Sequence, residues 1–394
     1  MRRRPSSGLP LLLVFGVLAL VIGIWLGGHP STLPGPLRDA LVADSDGRVY
    51  DEAIDILERD YYRQVDRKDL LNQSLDHAVR SLDDRFSNYF APRDFADFQQ
   101  ATEGRFEGVG MSVEPVDDGL RVVSVYDGSP AQRGGLRKGD VITEVNGHSI
   151  AGASSEESTT RIKGPAGTSV RLTVRTSGRT RELTLERAQV EIPVVRSQMR
   201  RAEGRKVAYV RLAGFTAGAH DSVGNAVHKL LGDGAQGVVL DLRDNGGGLL
   251  NEAVDVASIF IPDGTIVSTR GRSRPRRVYK ATGGAIDAHV PVVVLVNDHS
   301  ASASEIVTGA LQDRHRATVV GTRTFGKGVF QEIEPLSNGG ALDITVGEYF
   351  LPSGRNLGGG GVARGAGVTP NVKAKDNPKT PRDEALQVAL REAA

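Results

Sequence analysis

The sequence predicts a multidomain chain of α/β and β character: an N-terminal membrane-anchor helix, a small helical region, a glycine-rich segment of strands, and an α/β core ending in strands and a helix. Three observations carry this. Leu9–Gly28 is an uncharged, mostly apolar run behind Arg2–Arg4. Between Glu103 and about Arg187 the pattern switches from helical periodicity to short strands separated by glycine turns. From Val207 onward apolar strand-length runs alternate with helical stretches, the most apolar being Val292–Val296.

The totals are those of an ordinary globular protein. The 394 residues allow two or three domains, and 39% hydrophobic with 25% charged residues gives ample core. A net charge of +1 offers no bulk attraction to nucleic acid, which is not expected as a partner. With no cysteine, disulfides, thiol nucleophiles and thiolate metal sites are excluded. No histidine pair has the spacing of a metal site, so neither a metal nor any other cofactor is expected.

Residues 1–8 read as a basic cytoplasmic stub. Leu9–Gly28 follows; at ~1.5 Å per residue its twenty residues span a hydrocarbon core of ~30 Å. Basic residues before it and few after it orient the N-terminus to the cytoplasm. The run is long for a signal-peptide core and lacks a small-x-small cleavage site, so an uncleaved signal anchor is favoured over a cleaved signal peptide. Either way the bulk of the chain is expected outside the cytoplasm, on the periplasmic or cell-envelope face of the inner membrane. Residues 29–45, with Pro30, Pro34 and Pro36, form a linker.

Residues 46–102 are the helical region. In Asp46–Arg63 the residues Val49, Ala53, Ile56 and Leu57 share a face, with Tyr61 beyond, and in Arg67–Leu82 Leu70, Leu71, Leu75, Ala78, Val79 and Leu82 do. Asp83–Phe90 reads as a polar turn with aromatic anchors.

Residues 103–188 hold candidate strands Gly110–Pro115, Leu120–Val125, Val141–Val145, Ser169–Arg175 and Thr180–Arg187. Gly108-Val109-Gly110-Met111 stands just before the first. A glycine-bracketed loop there can expose N–H groups beside an apolar pocket and receive a peptide's terminal carboxylate while the peptide pairs with the strand edge; an ordinary hairpin turn is the alternative. With the run SPAQRGGLRKGDVITEVNGHSI, the segment resembles a PDZ domain, which favours the peptide-binding reading.

Residues 189–394 form the α/β core. Val207–Leu212 and Gly237–Leu242 read as strands around the helical stretch Gly218–Leu231. Asp241-Leu242-Arg243-Asp244-Asn245-Gly246-Gly247-Gly248 then opens the helix Leu249–Phe260. Gly271–Gly284 reads as an exposed basic loop or hairpin, Leu342–Phe350 as a strand, Gly358–Gly361 as a flexible loop, and Thr380–Ala394 as a closing helix. Phosphate-binding patterns fail on context. Gly321, Gly326 and Lys327 match most of a P-loop, but Gly328 stands where a hydroxyl would hold Mg²⁺ and Val329–Ile333 looks extended. Gly232, Gly234 and Gly237 precede a strand instead of following one.

The stretch from Asn297 to Gln331 carries the chemistry. A buried strand breaks into a serine-rich turn that opens a helix, Glu305–Arg314, a way of presenting a hydroxyl beside free backbone N–H groups. Ser300, Ser302 and Ser304 are all candidates, and any could cap the helix; Ser302 with Glu305 fits a capping box. His299 is too close in sequence for a simple Ser–His pair, and His315 lies beyond the helix. Lys327, between Phe325, Gly326, Gly328 and Val329 with no acidic neighbour in sequence, could be a lysine base. A reference pKa of ~10.4 must then be lowered by burial at roughly 1.4 kcal/mol per unit. An exposed turn lysine is the alternative.

Asn-Asp-His-Ser-Ala-Ser-Ala-Ser-Glu-Ile, Gly-Ala-Leu-Gln-Asp and Gly-Thr-Arg-Thr-Phe-Gly-Lys-Gly-Val-Phe-Gln together resemble the carboxyl-terminal processing, or tail-specific, serine peptidases, which carry a PDZ domain and a Ser/Lys dyad. The resemblance covers nearly everything after the linker and gives the core its expected identity as a protease domain. It implies Ser302 as nucleophile, Lys327 as general base and Gln331 as the residue orienting the lysine. The N–H groups of Ala303 and of Gly246 or Gly247 would form the oxyanion hole, and Glu305 would have a supporting role at most. Gly108, Val109, Gly110 and Met111 would bind substrate tails. The implied partners are proteins or peptides with exposed C-termini and the membrane through the N-terminal helix, with a homo-oligomer or an adaptor protein compatible. The alternative is a catalytically idle, membrane-anchored scaffold that binds peptide C-termini.

Overall fold

The computed structural model describes residues 45–361, 365–377 and 379–394; the expected anchor Leu9–Gly28 and most of the linker lie outside them. Among the described residues no helix is long and apolar enough to cross a membrane. The chain divides into two units, Met1–Ala78 and Val79–Ala394.

In the first unit lie α1 (Ser45–Asp60) and most of α2 (Arg67–Arg80). Arg67 at the start of α2 faces Asp51, Asp55 and Glu58 of α1. The face of α1 expected to pack is largely open to solvent: Val49 is 66% and Ile56 44% exposed.

The second unit opens with two elements the sequence reading did not anticipate. β1 (Asn88–Phe90) replaces the end of the expected polar turn, and α3 (Pro92–Glu103) follows. Proline in the first turn of α3 and Gly104 at its end, in the left-handed region with φ 66°, are ordinary helix punctuation. β1 is a strand because its partner comes from far along the chain, with Asn88 opposite Asp343.

β2 (Arg105–Gly108) leads into the expected PDZ segment: β3 (Met111–Val116), β4 (Gly119–Val125), α4 (Pro130–Arg133), β5 (Val141–Val145), β6 (His148–Ser149), α5 (Ser155–Ile162), β7 (Ser169–Thr176) and β8 (Arg179–Glu186). The strands pair antiparallel in the order β3-β4-β5-β7-β8, with β6 on β5. Leu120, Val122, Ile142, Leu172 and Val174 form its core, closed by Ile162 of α5. The unanticipated α5 starts at Ser154, whose Oγ accepts the N–H of Glu157 at 3.1 Å. β9 (Ala188–Glu191) leaves the segment and pairs antiparallel with β2, so the incoming and outgoing chains make a two-stranded ribbon.

The core continues with β10 (Val195–Ala202), β11 (Arg205–Leu212), α6 (Ala219–Gly232), β12 (Gly237–Asp241), α7 (Leu250–Ser258), β13 (Thr265–Arg270), β14 (Arg277–Lys280), β15 (Val292–Val296), α8 (Ala303–Asp313), β16 (Thr318–Gly321), β17 (Val329–Pro335), β18 (Ala341–Phe350), β19 (Val372–Lys373) and α9 (Glu384–Glu392). Its main sheet runs β10-β11-β12-β15-β16-β19, parallel except for β10 at one edge. Every residue of β12 and β15 is buried, which explains the uninterrupted apolar runs Gly237–Leu240 and Val292–Val296. Alternate side chains serve opposite layers. Val238, Leu240 and Val294 pack with α6, α7 and α8. Val239, Val293 and Leu295 pack with α9 through Ala385, Leu386 and Ala389. A second sheet, β1-β18-β13-β14 with β17 on β18, stands beside it. The basic segment is in fact the β13–β14 hairpin.

At the end of β12, the fully buried Asp241 bonds Tyr209 Oη at 2.8 Å and Arg243 at 2.7 Å. Burial and the neighbouring carboxylate push the Tyr209 phenol up to about 12. Arg243 also reaches Asp383 at 2.8 Å and Asp376 at 3.0 Å, fastening the chain's last helix to the loop that follows β12.

Candidate active site

β12 and β15 are parallel neighbours, so the loops after their C-terminal ends lie side by side. This is where open α/β sheets hold their ligands. One loop is Leu242–Leu249; the other is the serine turn. They are stapled together by the flanking serines. Ser300 Oγ donates to Leu242 O at 2.7 Å, and Ser304 Oγ to Asn245 O at 2.9 Å. Both side chains are fully buried. Ser302 is half-buried, and its hydroxyl is not part of these staples. Geometry therefore separates three serines that sequence pattern left equivalent.

Ser302 stands at the start of α8 with φ 55° and ψ −116°, a backbone conformation costly for any residue but glycine. α8 begins two residues earlier than the sequence suggested, so the N–H of Ala303 belongs to its first turn and makes no intrahelical bond. Across from it, Gly247 has φ 108°, and a Cβ placed there would fall 2.9 Å from Ser302 Cβ and 3.0 Å from Ala303 N. Only glycine fits. The N–H of Gly247 is engaged by Asn245 Oδ1 at 2.9 Å. Gly246 N–H has no such partner, which separates the two glycines the sequence could not.

What links Ser302 to Lys327 is Glu305, which is fully buried. Its carboxylate accepts the N–H of Ser302 at 3.0 Å, of Lys327 at 2.9 Å and of Gly326 at 2.7 Å, and the hydroxyl of Thr324 at 2.5 Å. Burial raises its pKa against these four donors. The resemblance gave Glu305 a minor part; the structure makes it the joint between the two halves of the site. The close turn around Lys327 needs its glycines: a Cβ on Gly328 would fall 2.2 Å from Gly358 N. Gly358 itself is buried, so the expected flexible loop is packed at its first residue.

Lys327 is no exposed turn lysine. Burial lowers its pKa, and its Nζ stands 4.9 Å from the Phe86 ring centroid. The sequence reading found no acidic neighbour; the fold supplies three. Asp343 of β18, Asp84 of the turn before β1, and Glu305 all favour the charged amine, with Arg85 opposing them. Burial, helped by the charge of Asp84, pushes Asp343 up to about 6, against Lys327 and Asn88. These neighbours were hidden because they come from segments far away in sequence. Gln331 lies on β17, and its Nε2 donates to Thr345 Oγ1 at 2.8 Å; the structure gives it no bond to Lys327.

His299 is exposed, with Nδ1 3.4 Å from Asp244, and His315 lies past the end of α8. In the PDZ segment, β3 pairs only with β4 and leaves an open edge. Beside it a cavity of about 50 Å³ is lined by Val109, Gly110, Met111, Val113 and Ile162, with Phe106 and Lys163 at its side. Gly110 is held at φ 83°, its carbonyl accepting Tyr126 N–H at 3.0 Å. Of the four loop residues Val109, Gly110 and Met111 thus line one pocket and Gly108 does not, away from Ser302 in sequence and in element.

A half-buried serine at a helix start, with N–H groups beside it and a half-buried lysine joined to it through one buried carboxylate, is a set of groups that suits a serine hydrolase. Comparison with known proteins agrees. Residues 206–374 match peptidase family S41, and residues 121–176 match the PDZ domain. The chain is 33% identical over 371 residues to a carboxyl-terminal-processing protease of Synechocystis sp., covering 90% of this chain and 86% of the relative. It is 37% identical over 326 residues to a carboxy-terminal-processing protease of Bartonella bacilliformis, covering 81% and 73%. Among solved structures it is similar to a photosystem II D1 C-terminal processing protease, with 30% identity, a TM-score of 0.50 and coverage of 89% and 98%. The chain belongs to the S41 peptidases of the carboxyl-terminal-processing type. It is a serine-type peptidase with a PDZ domain.

Exchanging Glu305 for Gln would set an amide NH₂ against an N–H or hydroxyl donor. Each donor left unsatisfied costs about 1–3 kcal/mol. The Glu305→Gln variant is expected to melt at lower temperature than the parent, with faster amide exchange at Gly326 and Lys327; unchanged melting and protection would remove the joint assigned to this residue.

Proposed function

We propose that the chain cleaves protein substrates presented by their C-terminal tails, with Ser302 as nucleophile and Lys327 as general base. The Glu305 carboxylate carries this reading, because one buried group holds the backbone N–H groups of both Ser302 and Lys327. Neutral Lys327 takes the Ser302 proton as Oγ bonds to the scissile carbonyl carbon. The carbonyl oxygen becomes an oxyanion facing the N–H of Ala303 and of Gly246, each such donor being worth about 2.7–4 kcal/mol in the transition state. Collapse breaks the C–N bond, and the Lys327 ammonium gives its proton to the leaving amine. Water then attacks the acyl-enzyme, Lys327 accepts the water's proton, and expelled Ser302 Oγ recovers it. No cofactor is required by these steps.

Delivery falls to the PDZ segment. A substrate tail adds to the open edge of β3, its terminal carboxylate meets the Gly108–Met111 loop, and a small apolar side chain fills the adjoining cavity. We further propose that Leu9–Gly28 anchors the chain in the cytoplasmic membrane with the protease portion on the outer side. The idle-scaffold alternative is not favoured, since the relatives are named as proteases.

Three measurements test this. Ser302→Ala and Lys327→Ala should each abolish cleavage of an unstructured protein such as β-casein while leaving the melting temperature within a few degrees; full activity of purified Lys327→Ala overturns the assignment. The base works only when neutral, so kcat/KM should rise with pH through the lysine's pKa. Asp343 above its own pKa raises that value, and Asp343→Asn should therefore move the rising limb to lower pH, by about one unit; a limb that stays put or moves up contradicts the electrostatics. Met111→Glu places charge in the apolar pocket and should erase the preference for a substrate with a free C-terminus over its amidated counterpart, whereas a retained preference would sever the PDZ segment from tail recognition.

A further inference from the structure

The parallel strands β15, β16 and β19 end level with one another: Val296 pairs with Gly321, and Gly321 with Lys373. The chain leaving β15 becomes the serine turn, and the chain leaving β16 becomes the Thr322–Lys327 turn. Where this second turn meets the end of β19 there is a cavity of about 500 Å³, lined by Arg323, Lys373 and Lys375 together with Thr322, Thr369 and Pro370. The reaction described above makes no use of it.

Charge at this place is one-sided. All three cations are exposed, and among the described residues none has an ion-pair or hydrogen-bond partner for its side chain. No acidic side chain among the described residues lines the cavity. Asp376, next to Lys375, is committed elsewhere: its carboxylate accepts Arg243 at 3.0 Å and the N–H of Ala385 at 2.9 Å. The walls, by contrast, are fastened. Gln312 of α8 donates to Thr369 O at 2.9 Å, and Asn371 Oδ1 accepts the N–H of Val319 at 2.9 Å. Thr324, next to Arg323, donates its N–H to Val368 O at 3.1 Å and its hydroxyl to Glu305 at 2.5 Å. The backbone that carries Arg323 is therefore tied to the same carboxylate that joins Ser302 to Lys327. Cations with no internal counter-ion, gathered at one concavity, attract an anionic group from outside.

We propose that this cavity is a subsite of the peptidase that takes an acidic side chain of the substrate, close to the bond being cut. Neighbouring strands lie ~4.8 Å apart, so the ends of β15 and β19 are separated by ~10 Å, a distance that about three extended residues span. The preferred substrate therefore carries Asp or Glu within about three residues of the scissile bond. Arg323 offers a planar fork to the carboxylate, while the two lysines supply charge without a fixed geometry. The contact is made in the bound substrate and in the transition state alike, so it lowers KM and leaves kcat alone. It is separate from tail recognition, whose pocket is apolar. The inference rests on Ser302 and Lys327 cutting as described above.

The test uses the intact chain. Cut sites are mapped on β-casein by mass spectrometry, and unstructured peptides are made around one of them, all with the same free C-terminal tail and with Glu or Gln at each of the three positions on either side of the bond. The parent should cleave the best Glu peptide with a kcat/KM about 3- to 10-fold above its Gln counterpart, chiefly through KM. That ratio should shrink as salt is raised. It should fall toward one in Arg323→Gln and in Lys373→Gln with Lys375→Gln, and invert in Lys373→Glu with Lys375→Glu. The lysines stand on a different segment from Arg323, so they give the same reading even if Arg323→Gln fails to fold. Equal rates on the Glu and Gln peptides, or a preference that survives in the charge-reversed variant, overturn the subsite. Binding to phosphatidylglycerol vesicles that the charge-reversed variant loses, with no Glu preference in the parent, also overturns it and assigns the cations to a lipid surface. In each of these cases cleavage of the Gln peptide that vanishes in Ser302→Ala leaves the underlying mechanism standing, whereas cleavage that persists in Ser302→Ala removes it.

Discussion

A single buried carboxylate ties the serine turn to the turn that carries Lys327. Glu305 is removed from water, which is costly, and it is repaid by four donors drawn from the serine turn and from the Thr324–Lys327 turn. Because it bonds backbone N–H groups at both places, the spacing between them is set by main chain and not by rotamers. The side chain of Lys327 takes no part in these bonds. The strained backbone at Ser302 is tolerated because its surroundings over-determine it: Glu305 on one side, Gly247 pressed against its Cβ, and the two serine staples on either flank.

The sheet supplies the second constraint. Parallel pairing of β12 with β15 brings the two loops that follow them to one edge, and the Asp241–Arg243–Asp383 cluster secures the first of them to the last helix. The second sheet supplies the electrostatic surroundings. β17 and β18 carry Gln331, Asp343 and Thr345, while β1 brings the Asp84–Ser87 turn to the same place. The amine of Lys327 therefore sits between opposed influences. Burial and Arg85 favour its neutral form, and three carboxylates favour the charged one.

Much of this was legible in the sequence, and the exceptions have a common cause. Val292–Val296 and Gly237–Leu240 could be read as central strand residues because burial on both faces leaves no polar residue in them. The SASASE turn could be read as a helix start because capping chemistry is local. The choice among Ser300, Ser302 and Ser304 was not legible from pattern, since it depends on which hydroxyls find carbonyls across the turn. β1 was read as a turn because a three-residue strand is defined by its partner, some 250 positions on. The acidic neighbours of Lys327 were missed for the same reason: Asp84 and Asp343 reach it only through strand pairing. α3 was the avoidable omission, since Pro92 and Gly104 mark its two ends.

The ribbon formed by β2 and β9 has a kinetic meaning. A domain attached by one flexible strand samples a wide volume and delivers a bound ligand at a dilute effective concentration. Here the chain enters and leaves the PDZ segment through two strands that are hydrogen-bonded to each other over four residue pairs. The two ends of the segment are therefore held to each other, and its tether to the core is a paired ribbon instead of a single strand. For a tail bound on β3 as proposed above, the shorter reach of such a tether would raise the local concentration at which the tail meets the core.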